Sequence, residues 1–199
     1  GELTKQIPKS LLIIGNKSLI VSHLENIYRI GVKICYIVVG YKKSILKKKL
    51  GSHYKSMEIF YIDNDLYATT GHGLSVYLGK RVFQKHDIYL IHADVFCDIE
   101  IYNLLKEIPE ENNVLADGDY KIVTGDEFVV LGENGVVSDI GPNIKGSIQG
   151  EFLGMSKFSS SFMKGYCVHA EKYFKENGYK DNYEIVMSKF LENQKYILN

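Results

Sequence analysis

Asp87-Ile-Tyr-Leu-Ile-His-Ala-Asp-Val-Phe-Cys-Asp98 is the stretch whose reading decides the fold. Ile88 to Ile91 is an almost unbroken apolar run, the pattern of a strand buried on both faces by helices. Polarity flips directly after it, and a carboxylate, Asp94, comes in. In open α/β sheets, ligands gather just beyond the carboxyl ends of strands. A carboxylate there suits Mg²⁺, a hard cation that takes one or two carboxylates together with phosphate oxygens. A structural role has an equal claim: Asp94 could cap the helix starting near Ile99 or end the strand in a turn.

The flanking segments alternate strand and helix. Leu11 to Ile14 is short and apolar, and Gly15-Asn16 is a turn. Ser18 to Ile30 carries Leu19, Ile20, Leu24, Ile27, Tyr28 and Ile30 at helical spacing, and Gly31 ends it. Ile34 to Val39 reads as a buried strand, Lys42 to Leu50 as a basic helix, and Met57 to Ile62 as a third strand. Lys42, Lys43, Lys47, Lys48 and Lys49 read as a solvated face. Asp63 to Gly73 is a polar loop, and Leu74 to Phe83 a helix. This order implies right-handed crossovers and a mostly parallel sheet in a single α/β domain.

Beyond the helix Ile99 to Ile108, stopped by Pro109, the pattern changes. Val114 to Ala116, Lys121 to Val123, Phe128 to Leu131 and Val136 to Ile140 are short strands, with a hairpin signal at Glu133-Asn134-Gly135. Phe152 to Phe158 is a further strand. Residues 114–158 thus form a β-rich subregion. Ser159 to Asn177 and Asn182 to Asn193 read as closing helices.

Composition narrows the class. The 199 residues carry 24 basic and 24 acidic side chains, so nothing suggests a nucleic-acid footprint. No apolar run approaches the roughly 20 residues of a membrane span. The three cysteines, Cys35, Cys97 and Cys167, are odd in number and widely spaced. That argues against a disulfide framework or a zinc site and fits the cytoplasm. The chain begins with Gly1 and closes on Tyr196-Ile197-Leu198-Asn199, which reads as the start of a strand, so both ends read as trimmed. The sequence leaves a homo-oligomer open.

Five segments carry a resemblance. Thr4, Pro8, Lys9 and Leu12 fit T-x-x-x-P-K-x-x-L. Asn64, Tyr67, Thr70 and Ser75 fit N-P-x-Y-x-x-T-N-N-x-x-S, from which Asp65, Gly71 and His72 depart. Ala93-Asp94-Val95 stands where the pattern has Gly-Asp-Val. Gly150 to Phe158 fits G-E-x-x-G-x-x-K-F, and Asn182-Tyr183-Glu184 resembles a Tyr-Glu pair opening a late helix. Together they resemble nucleotidyltransferases of the sugar-nucleotide-transferase fold, in a branch similar to phosphocholine and phosphoglutamine cytidylyltransferases. The family implies a Rossmann-like three-layer α/β/α fold with a mostly parallel central mixed sheet. Its glycine-rich loop, which lies upstream of the threonine, is not in these residues.

The resemblance implies attack of a phosphate oxygen on the α-phosphorus of CTP, with pyrophosphate leaving. A phosphate monoester is already largely dianionic at neutral pH, so no general base is needed. His53, His72 and His92 read as polar loop residues. The family implies that Lys9 and Asp94 are catalytic, with Asp94 holding Mg²⁺. It implies that Tyr67, Thr70, Gly71 and Ser75 border the nucleotide. Asp117, Tyr120, Glu151, Tyr183 and Glu184 fall on the acceptor side, where aromatic rings and carboxylates suit a quaternary or primary ammonium. The partners implied are CTP and a small phosphorylated metabolite, phosphocholine or a phosphorylated amino acid such as phosphoglutamine, for cell-surface polysaccharide or phospholipid decoration. A sugar-1-phosphate nucleotidylyltransferase, a glycosyltransferase and a non-catalytic nucleotide-binding domain are the other classes.

Overall fold

The computed structural model describes residues 4–119, 127–192 and 198–199. A 3-10 turn, Lys9–Leu11, leads into strands β1 (Ile13–Ile14) and β2 (Lys17–Ser18), helix α1 (Leu19–Arg29), β3 (Ile34–Val39) and α2 (Lys43–Leu50). Then come β4 (His53–Tyr54), β5 (Met57–Asp63), α3 (His72–Leu78), α4 (Lys80–Phe83), β6 (Ile88–Ile91) and α5 (Ile99–Glu107). The rest is β7 (Asn113–Asp117), β8 (Phe128–Glu133), β9 (Val136–Pro142), β10 (Ile148–Phe158), α6 (Ser160–Asn177) and α7 (Tyr183–Leu191). The expected strand at Lys121 to Val123 lies outside the described residues. The chain divides into two compact units, residues 1–69 with 92–107, and residues 70–91 with 108–199.

In the first unit, β3 and β5 pair in parallel, from Ile34 opposite Glu58 to Val39 opposite Asp63, and β4 adds antiparallel to β5. α1 buries Leu19, Ile20, His23, Leu24 and Ile27, one stripe at helical spacing. Each fully buried aliphatic side chain contributes about 1.5–3 kcal/mol. On its polar side, Glu25 pairs with Lys17 and with Arg29, four residues on. The lysines of α2 are less free than a solvated face implies. Lys43 reaches Asp63 at 3.1 Å and Asp65 at 2.5 Å, and Lys47 reaches Asp63 at 2.6 Å. Asp65 stands where the family pattern has proline, and this pairing gives the departure a local use.

In the second unit the sheet is built around β10. One edge of β10 pairs with β8 near Gly150 and with β6 from Met155 to Phe158; the other edge takes β7. All these pairs are antiparallel, and β8 and β9 form the hairpin expected at Asn134-Gly135. The α/β fold read from the sequence is therefore present. Among the described residues the one parallel pair is β3 with β5, in the three-stranded sheet of the first unit, so the expected mostly parallel pairing is confined to that pair. Short turns suffice for antiparallel neighbours, whereas parallel ones need a crossover. β10 begins four residues before the apolar run at Phe152, because Ile148, Gly150 and Glu151 are ladder residues opposite β8. Its register against β7 shifts between Phe152 and Ser156, where Gly154 takes φ +69°. The motif glycine thus supplies a bulge conformation that side chains resist.

α6 and α7 cover a core of Phe152, Phe158, Phe162, Tyr166, Tyr183, Met187 and Phe190. Phe158 and Phe162 stack at 5.2 Å, and Phe190 meets Phe162 edge-on. The expected helix Leu74 to Phe83 is broken into α3 and α4 at Gly79, whose N–H turns back to the Val76 carbonyl at 2.9 Å. At the end of the chain, the Leu198 carbonyl accepts from Val137 N and the Asn199 carbonyl from Val114 N, both at 2.8 Å.

The loop before α3 is clipped to the segment before α7. Gly71 N donates to the Tyr179 carbonyl at 2.8 Å and Gly73 N to the Asp181 carbonyl at 3.2 Å. A Cβ at Gly71 would lie 2.3 Å from the Lys180 carbonyl oxygen. Gly71→Ala should therefore destabilise the protein by about 1–3 kcal/mol, the usual range for overpacking. Urea unfolding checks this; an unchanged midpoint would show that the two segments separate freely.

Candidate active site

Each unit gathers a set of the polar residues singled out from the sequence. In the first, Pro8 holds φ −55° and ψ 143° ahead of the 3-10 turn. Leu11 N donates to the Pro8 carbonyl at 2.9 Å, Leu12 N to the Lys9 carbonyl at 3.0 Å, and Leu11 is buried. The backbone of Lys9 is thereby fixed while its side chain projects outward. Lys9 Nζ donates to Asp94 Oδ2 at 2.7 Å, with 62% and 44% of the two side chains exposed. Partial burial pushes the Asp94 carboxyl up, but the Lys9 hydrogen bond and charge, with smaller help from His92, outweigh it and hold the group below the usual carboxylate range. The pair presents a fixed anion and a mobile cation side by side.

α1 backs the Asp94 loop with two residues that the sequence reading passed over. His23 is 5% exposed, with Nδ1 2.5 Å from the Tyr102 hydroxyl. Asn26, three residues on, donates from Nδ2 to the Cys97 carbonyl at 3.3 Å. The available signal was a histidine set within the apolar stripe of an amphipathic helix. Burial pushes His23 below its ordinary value of 6.5, against the Val95 backbone and the Asp94 charge, which pull the other way.

Tyr67 is in the same unit, exposed, and edge-on to Tyr41 with ring centroids 6.2 Å apart. Gly40 lies so close that a Cβ there would come within 2.6 Å of Tyr67 Cβ. Tyr41 Oη and Lys42 Nζ both donate to the Lys5 carbonyl at 2.8 Å. Asn64 is 3% exposed, and its Oδ1 accepts from Leu66 N at 3.0 Å, the Asx turn that was the structural alternative for this loop.

The second unit holds the remaining described residues. Thr70 and Ser75 flank the Gly71 clip, both half-buried. His72 Nε2 lies 3.4 Å from Glu184 Oε2, and its ring meets Tyr183 edge-on at 5.6 Å. Glu184 is 1% exposed in the first turn of α7, where the helix dipole favours negative charge. Tyr183 is buried against Phe152, and burial, then the nearby Glu184 charge, push its phenol well above the ordinary range. Asp117 and Glu151 stand directly opposite each other across β7 and β10. Like charges in that relation repel, and a cation between them relieves the repulsion. Asp117 Oδ1 also accepts from Asp119 N at 2.9 Å. Tyr120 lies outside the described residues. Lys157, the motif lysine, donates to the Ile108 carbonyl and so ties backbone together.

His23 gives a pH-dependent signature. Its folded value is lowered, so the unfolded chain binds the proton first as pH falls. Stability is complete above 6.5 and is lost as pH drops below it. The unfolding midpoint should fall between about pH 7.5 and about pH 5.5, and His23→Gln should flatten that fall. Parallel curves for the two proteins would remove His23 from the account.

The sequence matches the family model described as nucleotidyl transferase over residues 2–128. It is 27% identical over 139 residues to CMP-5'-(3-aminopropyl)phosphonate synthase of Streptomyces rubellomurinus, covering 70% of this chain and 22% of that protein. It is 28% identical over 108 residues to mannose-1-phosphate guanyltransferase of Gibberella zeae, covering 52% of this chain and 29% of that one. The chain thus spans less than a third of either relative. It is 24% identical over 175 residues to CTP:phosphoglutamine cytidylyltransferase of Campylobacter jejuni, covering 81% of this chain and 68% of that one. The solved structure of CTP:phosphocholine cytidylyltransferase from Streptococcus pneumoniae superposes with a TM-score of 0.72 at 24% identity, over 99% of this chain and 82% of that one, which shows a shared fold. On the match over residues 2–128, the chain belongs to the nucleotidyl transferase family.

Proposed function

We propose that this protein transfers CMP from CTP to the phosphate of a small, amine-bearing phosphorylated metabolite. The observation that carries the reading is the Lys9–Asp94 pair at 2.7 Å. An acceptor phosphate oxygen bonds to the α-phosphorus, the bond to the β-phosphate oxygen breaks, and pyrophosphate leaves. Both reactants are anions, so the protein's task is alignment and charge neutralisation. Lys9 is a point charge on a flexible stem that can swing from Asp94 to a phosphate oxygen.

Asp94 is half-exposed and held as an anion, which is the hard oxygen donor that Mg²⁺ takes together with phosphate oxygens. Bound there, the ion supplies neutralisation of the triphosphate. Tyr67, Thr70, Gly71 and Ser75 border the nucleotide in this reading. Asp117, Glu151, Tyr183, Glu184 and Tyr120 serve the acceptor, and the facing carboxylates of Asp117 and Glu151 support a cationic one. Two relatives, one a synthase of CMP-5'-(3-aminopropyl)phosphonate and one a CTP:phosphoglutamine cytidylyltransferase, support the same choice. The reading places the protein in the cytoplasm, in line with its free cysteines; burial pushes Cys35 up to about 11 and Cys167 up to about 12. Among the described residues, no helix is long and apolar enough to cross a membrane. The guanyltransferase likeness keeps a sugar-1-phosphate acceptor as the second reading.

Pyrophosphate release with CTP, Mg²⁺ and a panel of phosphorylated metabolites tests the assignment. Asp94→Ala and Lys9→Ala should each lower kcat/KM by about 10²–10³-fold, the cost of one preorganised charge, with Lys9→Arg rescuing in part. A variant with wild-type kcat/KM would return its residue to the ordinary surface.

Calorimetry should show CTP binding more tightly than UTP. Uracil reverses the donor and acceptor that cytosine offers at positions 4 and 3, and each buried group left unpaired costs about 1–3 kcal/mol. Equal or tighter UTP binding would favour a uridylyl or glycosyl transferase.

A further inference from the structure

We propose that His23, Asn26 and Tyr102 are positioning residues for the metal ion: they fix the loop that carries Asp94, and so set how tightly that carboxylate holds Mg²⁺. The inference rests on the transferase reading above, in which Asp94 is the metal donor, and adds what keeps that donor in place. All four residues belong to the first unit.

The loop has little of its own to fix it. Val95 to Asp98 lie in neither helix nor strand, so regular backbone ladders do not order them. Packing does little more. Phe96 is 53% exposed, and a cavity of about 550 Å³ is lined by Phe96, Cys97 and Asp98 together with Asn26 and Arg29 of α1. A loop that borders open space makes fewer of the contacts that hold close-packed segments.

Polar contacts from α1 and α5 take over. α1 is a firm support, since Leu19, Ile20, Leu24 and Ile27 are buried along one stripe. His23 and Asn26 are three residues apart on it and so share a face. Asn26 Nδ2 donates to the Cys97 carbonyl at 3.3 Å, which ties the loop backbone to α1. His23 Nδ1 lies 2.5 Å from the Tyr102 hydroxyl, which ties α1 to the helix that follows the loop. Burial apart, the groups that act on the His23 ring are the Val95 backbone and then the Asp94 charge, so the ring sits beside the carboxylate's own stretch of chain. Tyr102 is 1% exposed, and Asn26 hydrogen-bonds its hydroxyl as well. The three side chains thus form one polar cluster that grips the loop after Asp94.

A donor already in place needs less ordering when the ion arrives. The cluster acts on the backbone of the loop and leaves the carboxylate to exchange Lys9 for the ion. Removing such outer partners of a metal ligand commonly weakens metal binding by about 10–100-fold.

Mn²⁺ takes the same oxygen donors as Mg²⁺ and reports its own binding through water-proton relaxation. The test titrates Mn²⁺ into the full chain with CTP. In parallel it finds the Mg²⁺ concentration for half-maximal pyrophosphate release with phosphocholine or phosphoserine. Asn26→Leu keeps the shape and loses the donor. It should weaken Mn²⁺ binding about tenfold and raise the Mg²⁺ requirement by the same factor, with a smaller effect on kcat once the metal saturates. Tyr102→Phe should move both constants the same way, and the double variant should add little to either single one. Asn26→Gln, which keeps an amide donor, should recover part of the loss. A lower melting midpoint with unchanged metal constants would leave the three residues merely structural and overturn the inference, as would additive effects of the two substitutions. Asp94→Ala keeps the two readings apart. If it loses Mn²⁺ while Asn26→Leu and Tyr102→Phe hold the ion as wild type does, the positioning role fails and the metal reading stands. If wild type and Asp94→Ala hold Mn²⁺ alike, or wild type releases no pyrophosphate with either acceptor, the reading of Asp94 and of the transfer fails, and the inference with it.

Discussion

A polar group taken out of water must find a partner, and much of this molecule is arranged around that requirement. His23 is buried within the apolar stripe of α1 and bonds the Tyr102 hydroxyl, so α1 and α5 are set by a polar contact as well as by packing. Glu184 is buried at the start of α7 and faces His72, which sets α3 against α7. Ser159 and Asn112 bond each other at the start of α6. Each pair sits beside residues proposed for chemistry or at the edge of the sheet that carries them. The same burial that costs desolvation energy also leaves these side chains few alternative arrangements, which is what a functional group needs from its surroundings.

The two sets of polar residues differ in kind. Lys9 and Asp94 are exposed, and their ion pair contributes little to stability, since screened surface pairs are worth about 0–1 kcal/mol. Such a pair is easily exchanged for stronger partners, a metal ion for the carboxylate and a phosphate for the ammonium. Glu184 is instead shielded from water, with 2% of its side chain exposed and Oε2 3.4 Å from His72 Nε2. The first set is open to an exchange of partners, and the second is packed at the start of α7.

Much of this was legible in the sequence because it is local. Ile34 to Val39 reads as a strand from its composition and forms one; the stripe Leu19, Ile20, Leu24, Ile27 reads as a helix face and is buried. Lys9 and Asp94 were found through motifs, each tied to a turn. The antiparallel surroundings of β10 were not legible, because strand direction is set by which strands meet, and an apolar run carries no direction. The early start of β10 was hidden by Gln149 and Gly150, which are poor strand formers read alone and are ordered by the ladder. His72 read as a polar loop residue because its partner Glu184 lies far along the chain. His23 was hidden among apolar neighbours, although a histidine in such a stripe is itself a sign of a buried polar contact.

The central claim is a nucleotidyl transfer driven by charge placement at Lys9 and Asp94. Phosphorus NMR of the protein with CTP, Mg²⁺ and phosphocholine or phosphoserine tests it most directly. The account predicts that pyrophosphate and a new diphosphate diester linking the two substrates grow in together, one for one, and that no CDP forms. Release of CMP or CDP without the diester, or spectra that stay unchanged, would contradict it.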